Sequence, residues 1–541
     1  MRGSTRARRL ARGARRLADG ARGLGVGTSA HWLISRAGHR PVPTVNTSMT
    51  WCRADESTTT LVWLHNYWSD AYDIDSPHLN GHLVALDGAT LASFDVDLAS
   101  DATVAIDVRA RCTEHGVVLP FEGELLLEFD DERLAPNRPV QVFAEYVRDD
   151  GECTGVHGQY GLVATPAAQV VSAIRVEARA GYRTGFVVTN AYAGPGAPAS
   201  MRPEITLLAA DGRSWHARLD AIPSRGTRVV YADDVFPDAA GLLAGAAGHA
   251  RVKLACPSSR VATFVEHPDD HRLVVNHGTV DRVFDQGVGI DPSWTRSWPV
   301  ASVLGTFDAR RDTVLTLPNV WGPHADDYDV VIDLYRPDGT HLTRHHESVA
   351  KDHLRELSLR DLVDSDPVPY VHAEVQVLGN GPAGERPHTF DVLAGFVDDG
   401  ELAAEVQIGA DFYNADVPDG VQWMDLRRTR IFGRVRSDDM ARTKLFLAQP
   451  VGTTGWTTTA RPLLTLISAD GTRRSTTEVE LAPHGCLLAD VTELFDDAHE
   501  ILGPSGCGAV RVRDTTARLY GFYWVERPGA RTLPLCHLIG G

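Results

Sequence analysis

The sequence predicts an all-β protein: four tandem immunoglobulin-like β-sandwich repeats preceded by a short basic N-terminal helical arm. Three observations predict it. Four Asp-Gly dipeptides, Asp87-Gly88, Asp211-Gly212, Asp338-Gly339 and Asp470-Gly471, follow short alternating apolar runs, at spacings of 124, 127 and 132 residues. Other landmarks keep the same phase: upstream alternating runs end at Asn66, Asn190, Asn319 and Pro450, and downstream apolar runs carry Phe143, Phe264, Phe396 and Phe522. Turn signals every ~8–12 residues then divide each copy into about six or seven short strands, the spacing of a sandwich. Asp-Gly between alternating runs predicts type I′ hairpins, whose two central residues need φ > 0.

Taken in order, residues 1–47 form the arm. Positions 1–40 hold ten Arg against one acid, Asp19. Leu10, Ala14, Leu17, Ala18 and Ala21 recur at helical spacing, while Gly13, Gly20 and Gly23 each weaken a helix by roughly 1 kcal/mol. Such an arm suits docking to an acidic partner or surface, or to the acidic remainder of the chain. No compact apolar block follows the arginines, so a cytoplasmic location is expected. A single core stops growing near ~250–300 residues, which divides the rest into sandwiches at 48–170, 171–285, 296–412 and 428–541. In repeats two to four a strand runs into a short helical stretch, at VVYADDVF, LSLRDLVD and LLADVTELF, whereas GVVLPFEGELLLEF in repeat one reads as all strand. The linkers are short, and Trp294 and Trp298 are candidates for packing between repeats.

The formal net charge of −18, with ten arginines concentrated in the arm, leaves a strongly acidic body. That opposes general nucleic-acid binding by the body. No stretch approaches the ~18 uninterrupted apolar residues of a transmembrane helix. The seven cysteines are dispersed and none forms C-x-x-C, so neither a disulfide framework nor a cysteine zinc site is expected. No G-x-S-x-G, H-E-x-x-H, P-loop or EF-hand pattern occurs.

Two constellations carry candidate chemistry. Glu145 and His157 flank the turn RDDGE, and a turn centred near residue 151 would set them opposite each other; Glu266 and His277 flank PDDHR in the same way, with His267 and His271 nearby. Directly opposed side chains sit about 5 Å apart at Cβ. A Glu–His pair suits a divalent metal, with Glu145, His157, Glu266, His267 and His277 as candidate ligands, or a hydrogen-bonded polar ligand; the alternative is a plain cross-strand ion pair. The second constellation is Asn66 with Tyr67 and Trp68 beside His65, echoed by Asn190 with Tyr192 and Asn319 with Trp321. Aromatics beside an amide suit sugar stacking, and the alternative is an amide that satisfies strand-end backbone groups. His345-His346-Glu347 reads as a solvated face.

Each repeat resembles the small bacterial sandwich domain of the sensory-rhodopsin-transducer type. The residues that carry this are the strand ending near Asn190, the hairpin at Asp211-Gly212, the strand at Gly226–Arg228, the D-V-F segment at Asp234–Phe236 and the late strand at Val261–Phe264. The resemblance implies tetramers that bind small ligands or sugars, and four copies in one chain would be such a tetramer made covalent. Repeat one lacks the D-V-F segment.

Repetition favours surfaces over a single reaction centre. The expected function is a non-catalytic binding or scaffold protein for a small polar ligand, a glycan or a protein partner, with no cofactor assigned beyond a divalent metal. The alternatives are a metal-dependent hydrolase or lyase using the Glu/His pairs of repeats one and two, and a structural subunit of a larger assembly.

Overall fold

The computed structural model describes residues 45–540 apart from 131–140, 159–161, 163–168, 180, 192–199, 246, 255–260, 268–270, 281–288, 291–296, 309, 320–326, 364–367, 379–385, 388–389 and 416–427. The basic arm up to residue 44, Tyr192, Trp294 and Trp321 therefore lie outside the described residues. Among the described residues no helix is long and apolar enough to cross a membrane.

The chain is nearly all β, built of antiparallel sheets that come in pairs. In the first pair, one sheet is ordered Val45–Ala54, Phe121–Asp130, His78–Ala85, Thr90–Asp97; the other is ordered Thr103–Asp107, Thr58–His65, Val142–Arg148, Cys153–His157. The same strand order recurs three times. The second pair runs Gln169–Val176, Gly248–Leu254, Glu204–Leu208, Ser214–Arg218 and Thr227–Tyr231, Arg183–Thr189, Ala262–Glu266, Leu273–His277. The third runs Ala301–Thr306, Tyr370–Leu378, Tyr328–Tyr335, His341–Val349 and Leu354–Ser358, Arg311–Pro318, Asp391–Asp398, Glu401–Gly409. The fourth runs Thr429–Arg436, Cys507–Asp514, Leu463–Ser468, Arg474–Glu478 and Cys486–Asp490, Arg442–Ala448, Tyr520–Glu526, Leu535–His537. The strand Gln169–Val176 straddles the 170/171 boundary read from the sequence and belongs to the second pair.

Sequence pattern and position agree. Thr90–Asp97, His341–Val349 and Arg474–Glu478 are hairpin edges with one wet face, and their burial alternates. His345-His346-Glu347 falls in one of these strands. Strands such as Tyr370–Leu378 and Tyr520–Glu526 are buried nearly throughout, because one face meets the core between the paired sheets and the other meets a neighbouring pair. In the first pair, Val62, Leu64, Leu79, Leu83, Leu125 and Leu127 from both sheets form that core. Between the first and second pairs, Trp51 stacks on Phe264 at 5.0 Å with 11° between the rings.

The first sheet pair also carries a helix, Val108–Glu114, at the place where the other pairs carry Ala232–Val235, Leu359–Leu362 and Val491–Leu494. The signal was Asp107, whose carboxylate accepts from the Ala110 N–H as an N-cap, as Ser358 and Asp490 do for their helices. It lies just upstream of the segment that reads as strand.

The Asp-Gly hairpins also depart from type I′. Only the glycines have positive φ, at 89° for Gly88, 83° for Gly212, 85° for Gly339 and 75° for Gly471. Each N–H closes a turn onto the carbonyl three residues earlier, of Ala85, Ala209, Arg336 and Ser468. A type I turn followed by a left-handed glycine places one more residue in the loop and asks nothing unusual of the aspartate. Instead the Asp carboxylate accepts from the N–H two residues on, of Ala89, Arg213, Thr340 and Thr472.

The same hairpins join the sheet pairs to one another. The carbonyl just before each aspartate accepts a backbone hydrogen bond from the next pair: Thr227 N–H to Leu86 (2.8 Å), Leu354 to Ala210 (3.3 Å), Cys486 to Pro337 (2.9 Å) and Thr103 to Ala469 (2.7 Å). The last of these runs from the fourth pair back to the first, so the four contacts close a ring. The glycines are pressed against the receiving segment: a Cβ on Gly88 would lie 2.7 Å from the Ser224 carbonyl oxygen, on Gly339 2.3 Å from that of Pro483, and on Gly471 2.2 Å from that of Ser100. Gly400 has a similar φ of 82° with nothing near its Cβ position. Gly400→Ala is therefore expected to cost only the left-handed strain, about 1–2 kcal/mol. Gly339→Ala is expected to cost clearly more, because it adds a backbone clash at the ring contact. Denaturant midpoints of the two variants, compared with the parent, check the difference.

Candidate functional site

Each second sheet ends in an edge strand, and the four edge strands meet in the middle of the ring. Cys153–His157 contacts Leu273–His277, which contacts Glu401–Gly409, which contacts Leu535–His537, which returns to Cys153–His157. Register shows what they bring there. The residues three positions before the strand-end amides Asn66, Asn190, Asn319 and Gln449 are Trp63, Val187, Thr316 and Phe446. These pair with Phe143, Ala262, Leu393 and Phe522. Those in turn pair with His157, His277, Gln407 and His537. Three of the four equivalent places are histidine.

The three imidazoles converge. One ligating nitrogen from each of His157, His277 and His537 lies within 4.8 Å of the others. His157 Nε2 and His277 Nε2 are 2.6 Å apart, and their ring centroids are separated by 4.3 Å. The Nδ1 atoms of these two rings approach the carbonyl oxygens of Gly158 (3.1 Å) and Gly278 (3.3 Å). A carbonyl only accepts, so Nδ1 carries the proton in each ring and Nε2 presents its lone pair. His537 Nδ1 is 2.7 Å from the Tyr520 hydroxyl, whose pKa burial pushes well up. At the fourth place, the Gln407 amide donates to the Asp391 carboxylate. His277 is buried, and His157 and His537 are partly buried.

The cross-strand Glu–His pairs expected from the sequence do not form. The first hairpin turns one residue earlier than expected, with Arg148 N–H bonded to the Glu152 carbonyl, so Glu145 lies opposite Gly155 and His157 opposite Phe143. In the second hairpin Glu266 lies opposite Leu273 and His277 opposite Ala262. Glu145 is instead a fully buried anchor between the first and fourth pairs. Its carboxylate accepts from Trp63 Nε1 (3.0 Å), Arg434 Nη1 (2.7 Å) and Arg527 Nη2 (2.9 Å). Burial alone would raise this carboxyl, but the two guanidinium groups outweigh it and hold it below its usual range. It has no role left as a metal ligand or general base. His267 is buried against the third pair, with Nε2 3.2 Å from the Leu402 carbonyl, and does not join the central histidines.

The amide–aromatic constellation is structural in its contacts. Asn66 donates through Nδ2 to the carbonyls of Asp75 (3.0 Å) and Ala99 (2.9 Å), and its Oδ1 accepts from the Ser69 N–H. Asn190 donates to the Ile222 carbonyl (3.1 Å), Asn319 to that of Val349 (2.9 Å), and Gln449 to that of Thr458 (2.8 Å). Trp68 is buried and stacks on Phe129 at 4.9 Å, so it offers no open face to a sugar. The Trp298 backbone, rather than its ring, makes a contact between pairs: its main-chain N–H donates to the Gly452 carbonyl of the fourth.

Glu266 sits elsewhere, on a cleft of about 310 Å³ between the first and second pairs, to which the buried Thr532 of the fourth also contributes. Arg53, Asp55 and Arg148 line it together with Glu266 and His271, over a floor that includes Tyr146. Glu266 accepts from the Tyr231 hydroxyl (3.3 Å), and His271 Nδ1 lies 3.2 Å from its other oxygen. Nearby, burial pushes the Glu122 carboxyl up, against the pull of Arg53 and with a further push from Glu266. The cleft thus presents charges of both signs on a rigid β frame.

No protein-family model matches the chain, and no curated protein matches it. Among solved structures, a glycosyl hydrolase family 2 member from Bacteroides cellulosilyticus DSM 14838 is similar over 50% of this chain at 11% identity, with a TM-score of 0.11. The match spans 29% of that chain's length.

Proposed function

We propose that the chain is a non-catalytic binding scaffold: four tandem immunoglobulin-like sandwiches, a covalent counterpart of a four-membered ring, that holds a small polar ligand, a glycan by preference, in the cleft beside Glu266. The observation that carries this is the cleft itself, where Arg53, Asp55, Arg148, Glu266 and His271 converge from two sheet pairs around one opening. Paired charges on a fixed frame suit the hydroxyl groups of a sugar, which both donate and accept. The cyclic hairpin contacts support the ring reading, because they hold the cleft walls at a set distance without a bound partner.

The test is calorimetric titration of the full chain with a panel of neutral and acidic saccharides, on the parent and on Glu266→Ala and Arg53→Ala. Saturable heat with at least one sugar, reduced at least about tenfold in both variants, is expected. Absence of binding across the panel, or binding that neither substitution changes, overturns the reading.

A further inference from the structure

We propose that His157, His277 and His537 form a binding site for one divalent transition-metal ion, zinc by the character of the donor set, where the first, second and fourth sheet pairs meet. Three features lead to it. The first is convergence: an ion about 2.1 Å from each of three imidazole nitrogens in tetrahedral geometry holds them about 3.4 Å apart. That spacing falls between the 2.6 Å of the His157–His277 contact and the 4.8 Å that encloses all three ligating nitrogens.

The second is orientation. The Gly158 and Gly278 carbonyls fix the proton of His157 and His277 on Nδ1. A backbone carbonyl on the distal nitrogen is the support that metal-binding histidines commonly have. It leaves two lone pairs pointed at each other at 2.6 Å, an arrangement that repels unless a cation lies between them. The third is placement. The three histidines occupy one equivalent register position in three of the four sheet pairs, and Gln407 occupies the fourth. An amide is a poor zinc ligand, so three imidazoles are what the ring supplies, with the remaining coordination place open to water. Neither Glu145 nor Glu266 contributes.

The experiment uses the full-length protein stripped with chelator and dialysed against micromolar zinc chloride, followed by elemental analysis, and in parallel against cobalt chloride with visible spectroscopy. Stoichiometric zinc, and the intense d–d bands of a tetrahedral cobalt site in the folded parent, are expected. His277→Ala and His537→Ala should each weaken binding by at least about tenfold, while Gln407→Ala should leave it unchanged. Circular dichroism identifies a variant that fails to fold, and the parent's cobalt spectrum then decides alone. Zinc at trace levels in the parent, octahedral cobalt bands, or binding indifferent to the histidine substitutions would overturn the site; in the first case the close nitrogens share a proton only. Loss of metal with sugar binding intact would leave the cleft reading untouched.

Discussion

Glu145→Ala is expected to destabilise the protein by about 3–5 kcal/mol, the cost of leaving a buried charge without its partner. Removing the carboxylate strands Arg434 and Arg527, both drawn in from the fourth sheet pair, with Arg434 over Trp63 and Phe143. Arg434 already makes little use of its other nitrogens: among the described residues Nε and Nη2 have no hydrogen-bond partner, and the guanidinium lies 4.5 Å over the Trp63 ring. Its charge therefore depends on Glu145. Denaturant unfolding measures the loss, and limited proteolysis should show the first and fourth pairs separating first. Asp149→Ala is the control. Its pair with Arg109 is exposed, so a change of no more than about 1 kcal/mol is expected. Equal effects from the two substitutions would refute the ranking.

Glu124→Gln is expected to stabilise the protein at alkaline pH. Glu124 is fully buried between the first and second pairs; one oxygen accepts from Thr189 and Thr227 hydroxyls, each at 2.8 Å, and the other has no hydrogen-bond partner among the described residues. Burial pushes its pKa from 4.5 up to about 7, against the weaker pull of the two hydroxyls. The folded state thus holds the proton more tightly than the unfolded chain. Below pH 4.5 the residue costs nothing; from there to about pH 7 stability falls, and above it the loss is constant. The rise corresponds to about 3 kcal/mol. The uncharged isostere should recover most of that at pH 8 and none at pH 4. On the acid side, burial pushes His65 and His249 down to about 3, so both stay neutral in the fold. Their contribution is present above pH 6.5 and is lost as pH falls toward 3, in the variant and the parent alike. Urea midpoints across pH 4–8 check this, and a variant whose gain does not grow with pH would count against it.

Much of the placement of strands and turns along the chain was legible because the pattern recurs. Asp-Gly turns, strand-end amides and alternating runs are local signals, and four copies in phase outweigh the ambiguity of any one. What failed was register. Aromatic landmarks misled: Phe143 and Phe522 are equivalent by pairing, but Phe264 and Phe396 sit two and three residues beyond the matching positions Ala262 and Leu393. A turn misplaced by one residue was enough to set Glu145 against His157. The central histidines were partly visible, since His157-Gly158 and His277-Gly278 stand out. His537 joins them only when positions are counted from the strand-end amides, fourteen or fifteen residues past the paired residue. The buried partners of Glu145 and Glu124 could not be read at all. Those contacts join residues as far as 382 positions apart, and no local pattern encodes which pair faces which.

The hairpin that leaves each sheet pair and the notch that receives it are different surfaces of the same pair. With four copies every tongue finds a groove and none remains over. Excising one copy would leave a tongue at one end and an unfilled groove at the other, complementary but unable to meet within three copies. Such unsatisfied head and tail surfaces can only be covered by another molecule. The shortened chain should therefore self-associate more than the full chain, in which every tongue is already seated.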